Sequence, residues 1–188
     1  MSELLDLVMS EHDDKMKRAV EHTKAEFSNV RTGRASSSII EKLPVEYYGS
    51  QVPLQQLASF SVPEARLLVV NPFDANSMGA IEKAIRNSDL GLNPSNDGKL
   101  IRLVFPQLTE ERRKELIKVA RHKAEEGRVS IRNVRRHAKD SLDKLVKDGE
   151  VGEDDVARAE KELEKLTHTY VEHVDEALRS KEAELLEV

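Results

Sequence analysis

The chain has 188 residues, of which 38% are hydrophobic and 35% charged, and its formal net charge is −5. It contains no cysteine, which excludes a disulfide framework, a thiolate nucleophile and a cysteine-based metal site. No apolar run approaches the roughly 18 residues of a membrane span. The acidic N-terminal residues lack the basic start of a secretory signal. We therefore expect a soluble cytoplasmic protein.

Residues 2–30 are predicted to form a first long helix. Side chains suited to packing recur there at intervals of three and four, which places them on one helical face. They are Met9, His12, Met16, Val20, Thr23, Phe27 and Val30. Because His12 lies on this face, we interpret it as a core or boundary histidine rather than as a ligand. The helical pattern stops at Gly33, since glycine adopts backbone angles through which a helix cannot continue.

The composition changes between residues 33 and 105, where five of the six prolines lie, from Pro44 to Pro94. Short apolar runs predict strands, at residues 45–48, 57–62, 66–70 and 100–105. Asp74 is a candidate N-cap for a short amphipathic helix that ends near Asn87. Residues 93–98 carry a dense turn signal. Together these elements predict a small α/β module.

The stretch from Thr109 to Lys147 is predicted to form a second long helix, with Thr109 as its N-cap. An apolar stripe runs along it, through Leu116, Ala120, Gly127, Ile131, Val134, Ala138 and Leu145. A break at residues 148–152 precedes a third helix that ends near Glu184. Three helices of comparable length with complementary stripes predict an antiparallel three-helix bundle.

The predicted fold class is therefore α+β, with two domains. Residues 1–30 and 106–188 form the elongated bundle, and the α/β domain of residues 31–105 is inserted between its first two helices. Two short tethers, 31–35 and 105–108, allow hinge motion but limit its directions. The hinge candidates are Gly33, Arg34, Phe105 and Pro106. We expect a rod that carries a movable head.

The second long helix also carries a basic stripe. On a wheel of about 100° per residue, seven basic residues lie within roughly 60° of Arg121. They are Lys114, Lys118, Arg128, Arg132, Arg135, Arg136 and Lys139. Residues 112–147 hold 13 lysines and arginines against five acidic residues, a net charge of +8, so the rest of the chain sums to −13.

Two interpretations of this stripe are open. A solvated helix face needs acids interleaved with the bases, but only Glu125 falls among the basic residues. A run of like charges repels itself unless an anion covers it, which favours nucleic-acid contact. Arginine suits forked contacts to phosphate, and an aromatic content of 4% with no tryptophan disfavours a base-stacking reader of single strands. We therefore predict recognition of folded RNA through shape and phosphate.

The sequence contains no pattern typical of an active site. A phosphate-binding loop, a dinucleotide-binding turn and a nucleophile elbow are all absent. His168 and His173 are five residues apart, so they point to different faces of the predicted third helix and are unsuited to share a metal. We therefore expect no enzymatic activity, no cofactor and no metal.

Several motifs, in the same order along the chain, resemble the bacterial ribosome recycling factor family. They occupy residues 31–35, 53–58, 63–66, 87–94, 101–102, 108–113, 129–136 and 181–184, beginning with Arg31-Thr-Gly-Arg-Ala35. The resemblance implies an L-shaped molecule with no known active site. It implies action on the ribosome after termination, together with elongation factor G, which binds and hydrolyses GTP and thereby drives separation of the subunits.

The resemblance also implies the partners. The bundle would bind ribosomal RNA of the large subunit, and the inserted domain would lie toward the small subunit and the elongation factor. The family's RNA-contacting arginines fall on Arg31, Arg113, Arg132 and Arg135, of which the last two also lie on the basic stripe. We add Arg128 and Arg136 from the stripe itself. We expect a monomer without a membrane partner.

An interpretation from another class remains open. In it the bundle is a helical adaptor or co-chaperone, and the basic stripe binds an acidic protein partner. Co-sedimentation with ribosomes would favour recycling, whereas partners that resist nuclease treatment would favour the adaptor.

Overall fold

A computed structural model describes residues 3–187, which contacts divide into two units. One unit comprises residues 3–31 and 110–187, and the other comprises residues 32–109. The corresponding ranges predicted from sequence were 1–30 with 106–188, and 31–105. The predicted first-helix start at residue 2 and the predicted domain ends at residues 1 and 188 lie outside the described residues.

Among the residues that the structure describes, six strands and one short α-helix lie between the first and second long helices, as expected of an inserted α/β unit. The helices are α1 (Glu3–Ser28), α2 (Met78–Arg86), α3 (Glu110–Lys147) and α4 (Glu153–Leu186). The strands are β1 (Pro44–Tyr47), β2 (Ser50–Pro53), β3 (Ala58–Glu64), β4 (Leu67–Pro72), β5 (Pro94–Asn96) and β6 (Ile101–Val104). Within residues 3–187, none of the helices has the length and apolarity that a membrane crossing requires.

The three long helices form the predicted antiparallel bundle. The Lys123 ammonium lies 2.8 Å from the Glu26 carboxylate, so the start of α3 lies beside the end of α1. The Tyr170 hydroxyl donates a hydrogen bond of 2.7 Å to Asp13, which ties the middle of α4 to α1. The prediction of an antiparallel three-helix bundle is thus confirmed.

The bundle core follows most of the predicted stripes, but in α3 Ala124 and Leu142 are buried, whereas the predicted Val134 and Leu145 are only half-buried. Its fully buried side chains come from all three helices, and they include Leu5, Met16, Ala120, Ala124, Ile131, Ala138, Leu142, Ala159 and Val174. His12 is 4% exposed, and its Nδ1 lies 2.7 Å from the Val8 carbonyl oxygen. The interpretation of His12 as a core histidine is confirmed.

Helices α1 and α3 lie close together at Gly127. A Cβ atom built on Gly127 would lie 2.3 Å from Oγ1 and 3.1 Å from Cγ2 of Thr23. Thr23 is itself buried, and its hydroxyl donates to the Ala19 carbonyl at 2.9 Å. Glycine at 127 therefore serves the close packing of two helices, although it is a weak helix former.

The inserted unit is built on antiparallel strands. Strands β1 and β2 form a hairpin, and a four-stranded sheet has the order β3-β4-β6-β5. Pro63 and Pro94 lie in the two edge strands, where proline is tolerated because one side of the strand needs no ladder hydrogen bond. The core of this unit combines residues of the strands, α2 and the connecting loops, among them Ile40, Val45, Leu54, Leu68, Ile81, Ile85, Ile101 and Leu103.

The first hairpin departs from the prediction by one residue. Tyr48 and Gly49 have φ angles of 47° and 80°, as a two-residue turn between twisted strands requires. The strand predicted at 45–48 therefore ends at Tyr47. Strand β2 was not predicted, because its four residues contain only one large apolar side chain, Val52.

The predicted turn over residues 93–98 is partly wrong. Residues 94–96 form the edge strand β5, which pairs with β6. The chain turns just after it, where the Asp97 carboxylate accepts hydrogen bonds from the N–H groups of Leu100 and Lys99. These two hydrogen bonds lower the pKa of Asp97 to about 2.

Gly127→Ala tests the close approach of α1 and α3. We expect it to lower the free energy of unfolding by about 1–2 kcal/mol, because overpacking outweighs the gain in helix propensity. Thermal and urea unfolding would measure the change. Adding Thr23→Ala should restore most of the loss, and Gly79→Ala, at a helical glycine with no atom near its added methyl group, is the control. A stabilised Gly127→Ala variant would contradict the close approach.

Candidate nucleic-acid interface

Six basic residues of α3 lie along the side of the helix that borders α4, and we call them the cationic edge. They are Arg121, Arg128, Arg132, Arg135, Arg136 and Lys139. Helical periodicity brings them together, since spacings of three, four and seven return side chains to the same side; the adjacent Arg135 and Arg136 lie about 100° apart and mark its two borders. The cationic edge contains most of the basic stripe that the sequence predicted as an RNA-binding site.

Helix α4 supplies carboxylates to this edge. The Arg121 guanidinium contacts Glu182 at 2.6 Å, and that of Arg128 contacts Asp175 at 2.7 Å. Further along, Arg135 contacts Glu164 at 2.5 Å and Lys139 lies 3.6 Å from Glu160. Cross-helix ion pairs therefore run along most of the cationic edge.

The observation that only Glu125 lies among these bases holds for α3 alone. Helix α4 adds four acids, so the self-repulsion from which nucleic-acid contact was argued is partly offset within the protein. A helical wheel describes one helix, whereas these acids come from its neighbour. The spacing held a usable signal: Asp175 and Glu182 are seven residues apart, as are Arg121 and Arg128. Likewise Glu160 and Glu164 match the separation of Arg135 and Lys139. In an antiparallel pair of helices, equal spacings bring opposite charges face to face.

Arg128 is the most enclosed member of the edge, with 21% of its side chain exposed. Its Nε and Nη2 both contact Asp175 at 2.7 Å, and its Nη1 donates to Glu125 at 2.9 Å. Burial alone would lower the pKa of Arg128, but the hydrogen bonds to Asp175 and Glu125 outweigh it and raise that pKa. Arg128 thus joins α3 to α4.

Glu125 is held between two arginines of its own helix. Its carboxylate accepts from Arg128 at 2.9 Å and from Arg132 at 3.2 Å. The hydrogen bond from Arg128, followed by that from Arg132, keeps the pKa of Glu125 below its ordinary value. The carboxylate is therefore ionised at neutral pH and offsets part of the charge of the edge.

The remaining members of the edge face solvent. About half of the Arg132 side chain is exposed, and so is 40% of that of Arg135. Arg136 and Lys139 are exposed as well, and Arg136 takes part in no ion pair with the residues that the structure describes. These guanidinium and ammonium groups retain N–H donors that could meet phosphate oxygens.

Arg31 and Arg113 lie elsewhere on the bundle. Arg113, in the first turn of α3, is 19 residues before Arg132, or about 28 Å along the helix. The exposed Arg31 follows α1, whose end lies beside the start of α3. Arg31 and Arg113 thus lie outside the cationic edge, which brings together four of the six proposed RNA-binding arginines, namely Arg128, Arg132, Arg135 and Arg136.

The two chain segments that enter and leave the inserted unit are both attached to the turn between β3 and β4. The Ala35 N–H donates to the Ala65 carbonyl, and the Phe105 N–H donates to the Arg66 carbonyl, both at 2.8 Å. Phe105 is only 6% exposed within the core of the unit. Gly33 has a φ of 78°, in the left-handed region that favours glycine.

The other groups considered from sequence form no site. Throughout residues 3–187, no three histidine, aspartate or glutamate side chains are placed to hold a metal ion. His168 is exposed on α4, and His173 packs edge-on against Tyr170 with 5.7 Å between the ring centroids.

Known proteins resemble the chain over its whole length. A model of the ribosome recycling factor family matches residues 23–186. The ribosome-recycling factors of Acidothermus cellulolyticus and Thermobifida fusca are 60% and 57% identical to it, and both matches cover 98% of this chain and 100% of the relative.

Solved structures agree with this assignment. One described as the solution structure of the ribosome recycling factor has a TM-score of 0.79 at 43% identity, covering 100% of both chains. Another is described as models for the T. thermophilus ribosome recycling factor and the E. coli elongation factor G bound to the E. coli post-termination complex. It has a TM-score of 0.65 at 46% identity, covering 99% of this chain and 100% of that one.

The bundle, the inserted α/β unit and these likenesses define the class as a two-domain α+β translation factor. The family model spans most of the chain, and the relatives match it from end to end. The chain belongs to the ribosome recycling factor family, and its function lies in ribosome recycling.

Arg128→Gln and Arg136→Gln test whether the enclosed Arg128 contributes more to stability than the exposed Arg136. Arg128→Gln should lower the free energy of unfolding by about 1–2 kcal/mol, because Asp175 and Glu125 both lose a charged hydrogen-bond donor. Arg136→Gln should change it by less than about 0.5 kcal/mol, as exposed substitutions usually do. Urea unfolding of both variants would measure this, and equal effects would contradict the distinction.

Proposed function

We propose that this protein binds the post-termination ribosome and, with elongation factor G and GTP, promotes splitting into subunits and release from messenger RNA. The observation that carries the proposal is the cationic edge, with several exposed arginine side chains on one rigid helix. The similar structure described with elongation factor G on a post-termination complex supports these partners. Membership of the family favours recycling over a helical adaptor.

In this proposal the cationic edge anchors the bundle to ribosomal RNA of the large subunit. Arg132, Arg135 and Arg136 would contact phosphates, and Arg128 would position α3 for them. Phosphate contacts fix the orientation of a protein on RNA without reading its sequence. Arg31 and Arg113 would make separate contacts near the other end of α3.

The action we propose is mechanical. The inserted unit would face the small subunit and receive the push of elongation factor G, which binds the GTP. The chain itself would perform no chemistry, need no cofactor, and act in the cytoplasm, where ribosomes translate. Bundle movement would break RNA contacts that hold the subunits together.

Of the four hinge candidates from the sequence, we propose three as pivots. Phe105 is buried and hydrogen-bonded, so we propose it as an anchor of the inserted unit rather than as a pivot. The pivots would be residues 32–34 and 106–109, which include Gly33, Arg34 and Pro106. Because hinges are short segments that absorb changes in backbone angle, left-handed Gly33 suits the role.

Light scattering of post-termination ribosomes tests the function. Scattering should fall only when this protein, a cognate elongation factor G and GTP are all present. The Arg132→Gln, Arg135→Gln double variant should bind large subunits more weakly, with a salt slope shallower by about 0.7–0.9 per lost phosphate contact. It should also split ribosomes more slowly.

The matched control is Arg158→Gln with Lys165→Gln. It removes two positive charges that are paired within α4, away from the edge. No fall in scattering with an active elongation factor would reject recycling by this mechanism. An unchanged salt slope in the edge variant, or an equal change in the control, would reject the anchoring role.

Gly33→Ala tests the hinge. Proline is unsuitable there, because it fixes φ near −65° and would rebuild a segment that has a φ of 78°. Alanine disfavours the left-handed region by about 1–2 kcal/mol, whereas asparagine tolerates it better. We expect Gly33→Ala to slow splitting, Gly33→Asn to slow it less, and large-subunit binding to stay unchanged. Parallel loss of binding and splitting would show that the change disrupts the junction instead.

A further inference from the structure

Two ion pairs at the end of the cationic edge that holds Arg135 and Lys139 differ from the enclosed pair at Arg128. Arg135 donates only its Nη1 to Glu164, and the two side chains are 40% and 64% exposed. Lys139 lies 3.6 Å from Glu160, at the outer limit of a direct contact. Both acids belong to α4, so they lie beside the cations that would meet phosphate.

A groove of about 360 Å³ separates the two helices at this point. Arg135, Arg136 and Lys139 line one side and Glu160, Glu164 and Lys161 line the other, while Ala157 and Leu163 contribute apolar surface. The groove leaves the cations room to turn away from their carboxylates without moving a core side chain. The pairs can therefore open while the helices stay packed.

We propose that Glu164 and Glu160 are positioning residues that compete with ribosomal phosphate for Arg135 and Lys139 and thereby speed release from the ribosome. The inference rests on the proposed function. A carboxylate and a phosphate beside one cation repel each other, so a full phosphate contact requires the pair to open or weaken. The carboxylate can re-form its ion pair with the cation when the phosphate dissociates.

This competition suits a factor that must leave the ribosome after each round. Contacts to several phosphates accumulate affinity, and differences in affinity between related complexes appear mainly in the dissociation rate. An exposed ion pair is weak, so each competing carboxylate should change affinity by about 1.5- to 5-fold. Two of them would tune release without abolishing binding.

The test compares Glu164→Gln with Glu162→Gln. Both variants remove one negative charge from the same turn of α4. Glu162 pairs with Lys165 within α4 and lies about 160° around the helix from Glu164. The readouts are the dissociation rate from purified large subunits, the rate of a single round of splitting and the rate of repeated rounds.

We expect Glu164→Gln to slow dissociation by about 1.5- to 5-fold, and Glu164→Gln with Glu160→Gln to slow it further. Repeated rounds should slow while a single round does not, and Glu162→Gln should behave as wild type. In an Arg135→Gln background, Glu164→Gln should have no effect, because the cation that it competes for is missing. Thermal unfolding would confirm that the variants fold.

Three outcomes would overturn the inference. Equal effects of Glu164→Gln and Glu162→Gln would show a general effect of net charge. Faster dissociation of Glu164→Gln would show that the carboxylate prepares Arg135 for binding instead. An effect that persists without Arg135 would show that Glu164 acts elsewhere. If Arg135→Gln alone leaves large-subunit binding unchanged, the proposed anchoring itself fails, which is a distinct result.

Discussion

The contact between Arg128 and Asp175 is the interaction on which the candidate interface depends. Two nitrogens of the Arg128 guanidinium, Nε and Nη2, meet the same oxygen, Oδ1, of Asp175 at 2.7 Å in a half-enclosed position, which fixes both distance and direction. This two-nitrogen contact restricts movement of α4 along the axis of α3. Seven residues, or about two helical turns, before Arg128, Arg121 meets Glu182 in the same register. Arg132, Arg135 and Arg136 lie further along the same helix, with exposed or half-exposed side chains.

The register between the arginines of α3 and their acidic partners on α4 changes along the edge. From Arg128 to Arg135 α3 advances seven residues, whereas the acid partners on α4 move eleven residues, from Asp175 to Glu164. The partner that a seven-residue spacing would supply is His168, which is exposed instead. Arg135 therefore reaches along α4 to a solvent-facing carboxylate. Only Arg128 is enclosed between the helices, whereas Arg121, Arg132, Arg135 and Lys139 keep 40% or more of their side chains exposed.

Sequence periodicity predicted those features that depend on the residues of one helix alone. The buried face of α1, including His12, and the order of the elements follow from intervals of three and four. The acids of α4 escaped prediction because they join the site only through packing against α3. Strand β2 escaped because its sequence has no apolar run, and the need for glycine at 33 became explicit only with its φ angle. Arg128 looked like its neighbours in sequence, since burial depends on the partner helix.

The central claim is that ribosomal RNA covers the cationic edge. Labelling of arginine side chains with phenylglyoxal, followed by mass spectrometry with and without large subunits, tests it most directly. Arg132, Arg135 and Arg136 should lose reactivity on binding, whereas the exposed Arg158 on α4 should keep it. Unchanged reactivity at the three edge arginines, in a preparation that demonstrably binds large subunits, would contradict the account.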